Sequence, residues 1–178
     1  MASPNKKLIG LLGGSFDPPH KGHLKISKIS IKKLKLNKIY WLITKKNPLK
    51  KKSFFNLNER IKKCKEITKN NKNIHVKFTE KFTSSNKIID NLRYLIKKNK
   101  DSTFFLIIGS DNLIDFHKWK SSKKILKLCK IIVFSRKGFE KKAQKLHFTR
   151  YSKNKNVMYI KNYKIDISSS KIRKSYLR

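Results

Sequence analysis

The sequence is poor in acidic residues and in the residues that build disulfides and tight turns. Of 178 residues, only 10 are Asp or Glu, two are Cys, four are Pro and six are Gly. Cys64 and Cys129 show neither CxxC spacing nor a disulfide framework, so we expect reduced thiols in a cytoplasmic protein. No apolar run approaches the ~20 residues of a membrane span, and the first residues lack a signal peptide's apolar stretch. We therefore expect no membrane partner.

The shortage of acidic residues leaves a formal net charge of +37. High charge can keep a chain disordered when its apolar content is low. Here Leu, Ile, Val and Phe make up 53 of the 178 residues, about 30%, whereas disorder is expected below roughly 20%. We therefore expect a folded chain, and its length predicts one domain over residues 1–178.

The charge is compatible with nucleic-acid binding, but the kind of basic residue is not typical of it. Lys accounts for 41 of the 47 basic residues, whereas surfaces that read bases or clamp phosphates favour the planar fork of Arg. Lys is spread along every segment together with 15 Asn and 22 Ile, and all three have A/T-rich codons. Genome composition therefore explains the charge as well as a polyanion does. We expect no specific nucleic-acid partner and keep a basic nucleic-acid-binding protein as the non-enzyme alternative.

Short apolar segments alternate with helical patterns along the chain. The predicted strands are residues 7–12, 38–44, 74–78, 103–108, 129–134 and 157–160. The predicted helices start after Gly22 and at the capping box of Asn56 and Glu59, or cover residues 88–96, 121–128 and 168–176. This alternation predicts an α/β fold with a mostly parallel sheet and helices on both faces.

The first predicted strand is followed by a string of Gly, Pro and His residues, GGSFDPPHKGHL. We predict a glycine-rich turn at Gly13–Ser15, where the backbone can approach a ligand closely. The next helix begins near Gly22, so its positive end faces the same space. His20 and His23 are three residues apart and can point to one side, where either protonation state offers N–H donors to phosphate. The string predicts a phosphate-binding site.

A second anion site is predicted near the end of the sequence. Ser168–Ser170 provide hydroxyl groups, an N-cap and free N–H groups at a helix start. Arg173 lies one turn further on and can reach the same anion with its guanidinium group. An ordinary capped helix is the alternative.

The string GSFDPPHKGH resembles the GSFDPxHxGH signature of nucleotidyltransferases with HxGH active sites, and above all that of the bacterial nicotinate-nucleotide adenylyltransferases. The segments IIGSDNL, FHKW, SRKG and ISSSKIR are similar to further motifs of that family. Lys137 stands where proline is usual and Ser170 where threonine is usual, and KIIDNL lacks the two threonines of the family's helix start. The resemblance covers the chain from about Leu8 to Arg173 and implies a Rossmann-like fold.

The resemblance implies the transfer of AMP from ATP to nicotinate mononucleotide in NAD biosynthesis, with Mg²⁺ accompanying ATP and no metal site on the protein. Catalytic roles are implied for His20, His23 and Arg173. ATP binding is implied for Gly13, Gly14, Ser15, Phe16, Gly22, Gly109, Asp111, Arg136, Ser168, Ser169 and Ser170. Mononucleotide binding is implied for Lys50, Ile88 and Trp119.

Two acceptors other than nicotinate mononucleotide remain open. They are nicotinamide mononucleotide and phosphopantetheine, although the pantetheine relatives typically have threonine in place of His20. A site of N–H donors without a facing acceptor should prefer the acid to the amide. We expect those donors to be backbone N–H groups at Lys118–Trp119 and Ile88–Ile89. No pattern in the sequence predicts an oligomeric state.

Overall fold

A computed structural model describes residues 6–45, 53–160 and 168–176. In this part of the chain six parallel strands form one sheet in the order β3-β2-β1-β4-β5-β6. The strands are β1 (Lys7–Gly14), β2 (Lys38–Ile43), β3 (Ile74–Lys77), β4 (Ser102–Gly109), β5 (Lys130–Phe134) and β6 (Val157–Ile160). The strand order reverses direction between β1 and β4, and in such sheets ligands bind beyond the carboxyl ends of the strands at that point. The predicted α/β class is confirmed, and every predicted strand is present.

Eight α-helices connect or flank these strands within the described residues. They are α1 (Lys21–Leu34), α2 (Leu57–Thr68), α3 (Glu80–Thr83), α4 (Ile88–Lys98), α5 (Ser110–Asp115), α6 (Ser122–Leu128), α7 (Glu140–Leu146) and α8 (Ser169–Tyr176). A 3₁₀ turn follows α5 at Phe116–Lys118, and a π-helical turn follows α7 at His147–Tyr151. No described helix has the length and apolar character needed to cross a membrane.

The sheet separates two apolar cores. On one face α1 and α2 pack against alternate strand residues such as Ile39 and Trp41, and Cys64 of α2 is fully buried among them. On the other face α4 to α7 cover Leu11, Leu106 and their neighbours. Burial on both faces explains why residues 104–108 of the central strand, FFLII, are apolar at every position rather than at alternate ones.

Four local features differ from the sequence prediction. The turn predicted at Gly13–Ser15 is wrong for its two glycines, because both lie in β1 and pair with Leu42 and Ile43 of β2. Helices α3, α5 and α7 have no predicted counterpart. Each is short and carries only one or two apolar residues, so its periodicity is too weak to be recognised.

A buried arginine joins three loops at the carboxyl ends of β1 and β2. Arg60 of α2 is 1% exposed, and its guanidinium group donates hydrogen bonds to the carbonyl oxygens of Ser15, Thr44, Lys45 and Phe55 at 2.7–3.2 Å. Capping by Asn56 and Glu59 starts α2 as predicted and places Arg60 one turn into the helix. The sequence carried no local signal for this role, because the carbonyl groups come from three separate segments.

Replacing Arg60 by lysine should destabilise the protein. One ammonium group cannot reach four carbonyl oxygens in different directions, so at least two buried acceptors lose their partners. We expect Arg60→Lys to lower the free energy of unfolding by about 3 kcal/mol, measured by urea denaturation. The matched control is Arg93→Lys at an exposed site, where a change within about 0.5 kcal/mol is expected. Equal effects of the two substitutions would contradict the role of Arg60.

Candidate active site

The segment between β1 and α1 forms the floor of the site. It leaves the sheet after Gly14, whose carbonyl oxygen accepts the N–H of Thr44 at 3.1 Å. The chain then turns at Phe16, which has a left-handed φ of 47° and is buried. Its ring stacks on Trp41 with centroids 4.9 Å apart. The turn is therefore held by an aromatic anchor in the core below it, while Gly13 stays exposed above the strand end.

The two histidines of this segment cap α1 reciprocally. His20 is the N-cap residue, and its Nδ1 accepts the N–H of Gly22 at 3.1 Å. In return Nδ1 of His23 accepts the N–H of His20 at 3.2 Å. The ring centroids lie 3.9 Å apart. The three-residue spacing of the capping box thus brings both imidazoles to one place, as the sequence analysis expected.

These hydrogen bonds determine the protonation of both rings. An Nδ1 atom that accepts a hydrogen bond carries no proton, so each neutral ring has its proton on Nε2. Burial and the charge of Arg136 lower the pKa of His20 to about 4. Burial, with smaller contributions from His20 and Arg136, lowers the pKa of His23 well below its ordinary value. At neutral pH both histidines are therefore neutral Nε2–H donors, which decides between the two protonation states left open by the sequence.

Helix α8 docks on the same β1–α1 segment. The hydroxyl of Ser169 donates to the carbonyl oxygen of Pro18 at 2.9 Å, and the guanidinium of Arg173 donates to the carbonyl oxygen of Asp17. Arg173 also donates to Oγ of Ser170 at 3.0 Å. Ser168 accepts the N–H of Lys171 at 3.2 Å in the predicted capping position. The two predicted anion sites are therefore adjacent.

Asp17 is a buried residue of this region whose role the sequence analysis missed. Asp17 is 1% exposed, and its carboxylate accepts the N–H groups of Phe54 and Phe55 at 2.9 and 2.8 Å. Nη1 of Arg173 lies 3.8 Å from Oδ2 of Asp17. Asp17 thus connects the loop before α2 to both the β1–α1 segment and α8. Its place in the motif between Phe16 and a proline was visible, but its partners were not.

Beyond the ends of β4 and β5, Asp111 and Arg136 form an ion pair. Oδ2 of Asp111 accepts a hydrogen bond from the guanidinium of Arg136, while Oδ1 is buried and has no hydrogen-bond partner among the described residues. Gly109 is required for this arrangement, because a Cβ at position 109 would overlap with Oδ1 of Asp111. The carboxylate is therefore packed against the end of β4.

Of the three residues expected to bind the mononucleotide, the structure describes Trp119 and Ile88. Trp119 is half-buried and packs beside Phe116 at a centroid distance of 5.4 Å. The backbone N–H of Trp119 donates to the carbonyl oxygen of Phe116 at 3.0 Å, so this one of the expected acid donors is already engaged within the protein. Ile88 lies beside Gly13, within 4.0 Å of where a Cβ would be built there. Lys50 falls outside the described residues.

The start of α4 is supported by a polar network. Asn91 is buried and its Oδ1 accepts the hydroxyl groups of Thr79 and Thr83 at 2.6 and 3.2 Å. Its amide donates to the carbonyl oxygens of Ser85 and Lys87. KIIDNL lacks the two threonines of the family's helix start, but two other threonines contribute hydroxyl groups here. Thr83 belongs to α3, and Thr79 directly precedes it. The side chain of the N-cap residue Lys87 makes no capping hydrogen bond, and the first N–H groups of a helix have no partner within it.

A family model described as cytidylyltransferase-like matches residues 11–175. The chain is 49% identical over 170 residues to a probable nicotinate-nucleotide adenylyltransferase of Pelagibacter ubique, covering 95% of this chain and 93% of that protein. The chain belongs to the nicotinate-nucleotide adenylyltransferases of the cytidylyltransferase-like family. A homologue of the same description from Aquifex aeolicus is 31% identical over 164 residues, covering 90% of this chain and 98% of its own length.

The fold of this adenylyltransferase also matches a solved structure. Its similarity to Plasmodium falciparum nicotinic acid mononucleotide adenylyltransferase complexed with NaAD has a TM-score of 0.73 at 24% identity. The match covers 94% of this chain and 83% of that one. This likeness confirms the Rossmann-like fold that the resemblance implied.

The side chains of the adenylyltransferase site suit a metal ion that is bound mainly by the phosphates of the nucleotide. No group of three or more His, Cys, Asp or Glu side chains in residues 6–45, 53–160 and 168–176 could hold an ion. The carboxylate of Asp17 is committed to backbone N–H groups, and both Nδ1 atoms of the histidines are occupied. A hard cation such as Mg²⁺ prefers oxygen ligands and usually keeps several waters beside substrate phosphates.

The capping role of His20 predicts a pH dependence of stability. In the unfolded chain His20 titrates near 6.5, and in the folded protein at about 4. The unfolded state binds the proton first, so the stabilisation is present above pH 6.5 and is lost as the pH falls towards 4. We expect His20→Asn, which keeps an N-cap acceptor but does not titrate, to lose less stability between pH 7 and pH 5 than the wild type. Urea denaturation measures this, and parallel pH curves would contradict it.

Proposed function

We propose that this chain transfers the adenylyl group of ATP to nicotinate mononucleotide, giving nicotinate adenine dinucleotide and pyrophosphate. The observation that carries the proposal is the histidine pair, two neutral Nε2–H donors fixed at the start of α1 beside the docked start of α8. The names of the relatives support nicotinate mononucleotide as the acceptor. The arrangement of the N–H donors supports the transfer of a phosphoryl group.

In the proposed reaction the phosphate oxygen of the mononucleotide attacks the α-phosphorus of ATP directly. A phosphorus–oxygen bond forms there, the bond to the α,β-bridging oxygen breaks, and pyrophosphate leaves with its electron pair. His23 donates to the α-phosphoryl oxygens as charge develops on them, and His20 holds the triphosphate. Catalysis then depends on positioning and charge stabilisation, and no protein nucleophile or general base takes part.

ATP binding is assigned to three groups of residues. Gly13, Gly14, Ser15, Phe16 and Gly22 place backbone close to the nucleotide at the end of β1 and the start of α1. Ser168, Ser169, Ser170 and Arg173 hold the departing pyrophosphate, with Arg136 on the opposite side. Asp111, beside Gly109, accepts a ribose hydroxyl group. When ATP carries Mg²⁺, the ion supplies charge neutralisation of the phosphates, and these donors orient the complex.

The mononucleotide is assigned to the space above Gly13. Ile88 borders that space, and the N-terminus of α4 directs positive charge into it. Trp119 stacks on the pyridine ring, since its partly buried face is flat and apolar. A contact of Lys50 with the phosphate of the mononucleotide stays an expectation from the family resemblance, because Lys50 lies outside the described residues.

Removing the His23 donor should slow the chemical step. We expect His23→Ala to lower kcat by about 10²-fold, the scale of losing one preorganised donor to a developing charge. The measurement is pyrophosphate release with saturating ATP and nicotinate mononucleotide. His75→Ala, at an exposed histidine of β3, is the matched control and should keep the wild-type rate. A kcat of His23→Ala within twofold of wild type would refute the assignment.

The acid should be preferred to the amide. The N–H donors at the start of α4 bind a carboxylate more strongly than a neutral amide, whose own N–H₂ group finds no acceptor there. We expect kcat/KM for nicotinate mononucleotide to exceed that for nicotinamide mononucleotide by a factor of about ten or more. Both are measured on one preparation. Equal values would exclude the nicotinate acceptor and leave the adenylyl transfer intact.

A further inference from the structure

Arg136, which is assigned to one of the ATP contacts, begins a tight turn. The N–H of Phe139 donates to the carbonyl oxygen of Arg136 at 3.0 Å, and Gly138 has a φ of 85° while Lys137 does not have a positive φ. These are the features of a type II turn with Arg136 at its first position. Proline is common at the second position, because its ring fixes the φ that the turn needs. Lys137 occupies that position here and supplies no such restraint.

A buried serine from another strand end holds this turn instead. Ser110, at the start of α5, is fully buried, and its hydroxyl oxygen accepts the N–H of Arg136 at 2.9 Å. The same hydroxyl donates to the carbonyl oxygen of Arg136 across a longer distance of 3.5 Å. Both backbone groups of Arg136 therefore meet one side chain, and the turn after β5 is tied to the carboxyl end of β4.

The position of Arg136 matters to three other groups at this end of the sheet. Its guanidinium pairs with Asp111, and its charge helps to lower the pKa of both His20 and His23. The charge of Arg136 therefore acts on the imidazoles that are proposed to face the triphosphate. Because the guanidinium sits at the end of a flexible side chain, its reach is determined by where the backbone of the turn is held.

We infer that Ser110 is a positioning residue for ATP: its hydroxyl holds the Arg136 turn, and so aims the guanidinium at the phosphates. This inference rests on the proposed ATP site and goes beyond it, since Ser110 itself contacts no substrate. It assigns to one buried hydroxyl the restraint that proline at position 137 would otherwise provide.

The test compares ligand affinity in Ser110→Ala with that of the wild type. Titration calorimetry without turnover gives Kd for ATP and, separately, for nicotinate mononucleotide. We expect Kd for ATP to rise about fivefold or more, the scale of one lost hydrogen bond, and Kd for the mononucleotide to stay within twofold. Adding Lys137→Pro to Ser110→Ala should restore at least half of the lost ATP affinity, because proline restrains the turn directly.

The matched control is Ser30→Ala. Ser30 is fully buried in α1, and its hydroxyl group has no partner among the described residues, so its removal should leave both affinities unchanged. The inference is overturned if Ser110→Ala binds ATP within twofold of wild type, if both ligands weaken equally, or if proline restores nothing. A wild type that binds ATP but releases no pyrophosphate with nicotinate mononucleotide contradicts the proposed function alone.

Discussion

The site depends on keeping one irregular segment, Ser15–Pro19, in a single conformation between β1 and α1. Regular hydrogen bonding ends at Gly14, so the polar groups of this segment need partners from elsewhere. Two buried charges provide them: Arg60 binds the carbonyl oxygen of Ser15 and those of neighbouring loops, and Asp17 binds the N–H groups of the loop before α2. A charge is costly to bury alone, but each of these is hydrogen-bonded on several sides. The stability of the fold and the shape of the site therefore share the same contacts.

Because this segment is held in place, His20 and His23 can present their Nε2–H groups to a ligand although both lie close to the core. In the reciprocal cap, each histidine uses Nδ1 for the backbone, which leaves Nε2–H for a ligand. Protonation at Nδ1 would break the cap, so structure and charge state support each other. A neutral donor suits a phosphoryl group that must be released again, because it contributes a hydrogen bond without the attraction of a full charge.

Much of this could be predicted from local sequence. Capping residues, strands and the chemistry of GGSFDPPHKGH depend on neighbours a few positions apart, and those predictions match the structure at Asn56, Glu59 and the histidine pair. The glycines at 13 and 14 were misassigned because their pairing with β2 is a tertiary contact that outweighs the turn preference of glycine. Arg60 and Ser110 escaped notice for the same reason, since each acts on carbonyl or amide groups far away in sequence. Spacing cannot reveal which distant backbone a side chain will meet.

The distribution of arginine adds a final argument about the charge. In a chain with 41 Lys and six Arg, the arginines at 60 and 173 each make several hydrogen bonds that need a planar group with several donors. A lysine ammonium is a compact charge and cannot span such partners. Arg60 and Arg173 are thus engaged with backbone and side-chain groups of the protein itself. The lysines are spread along every segment, as a compositional bias would place them.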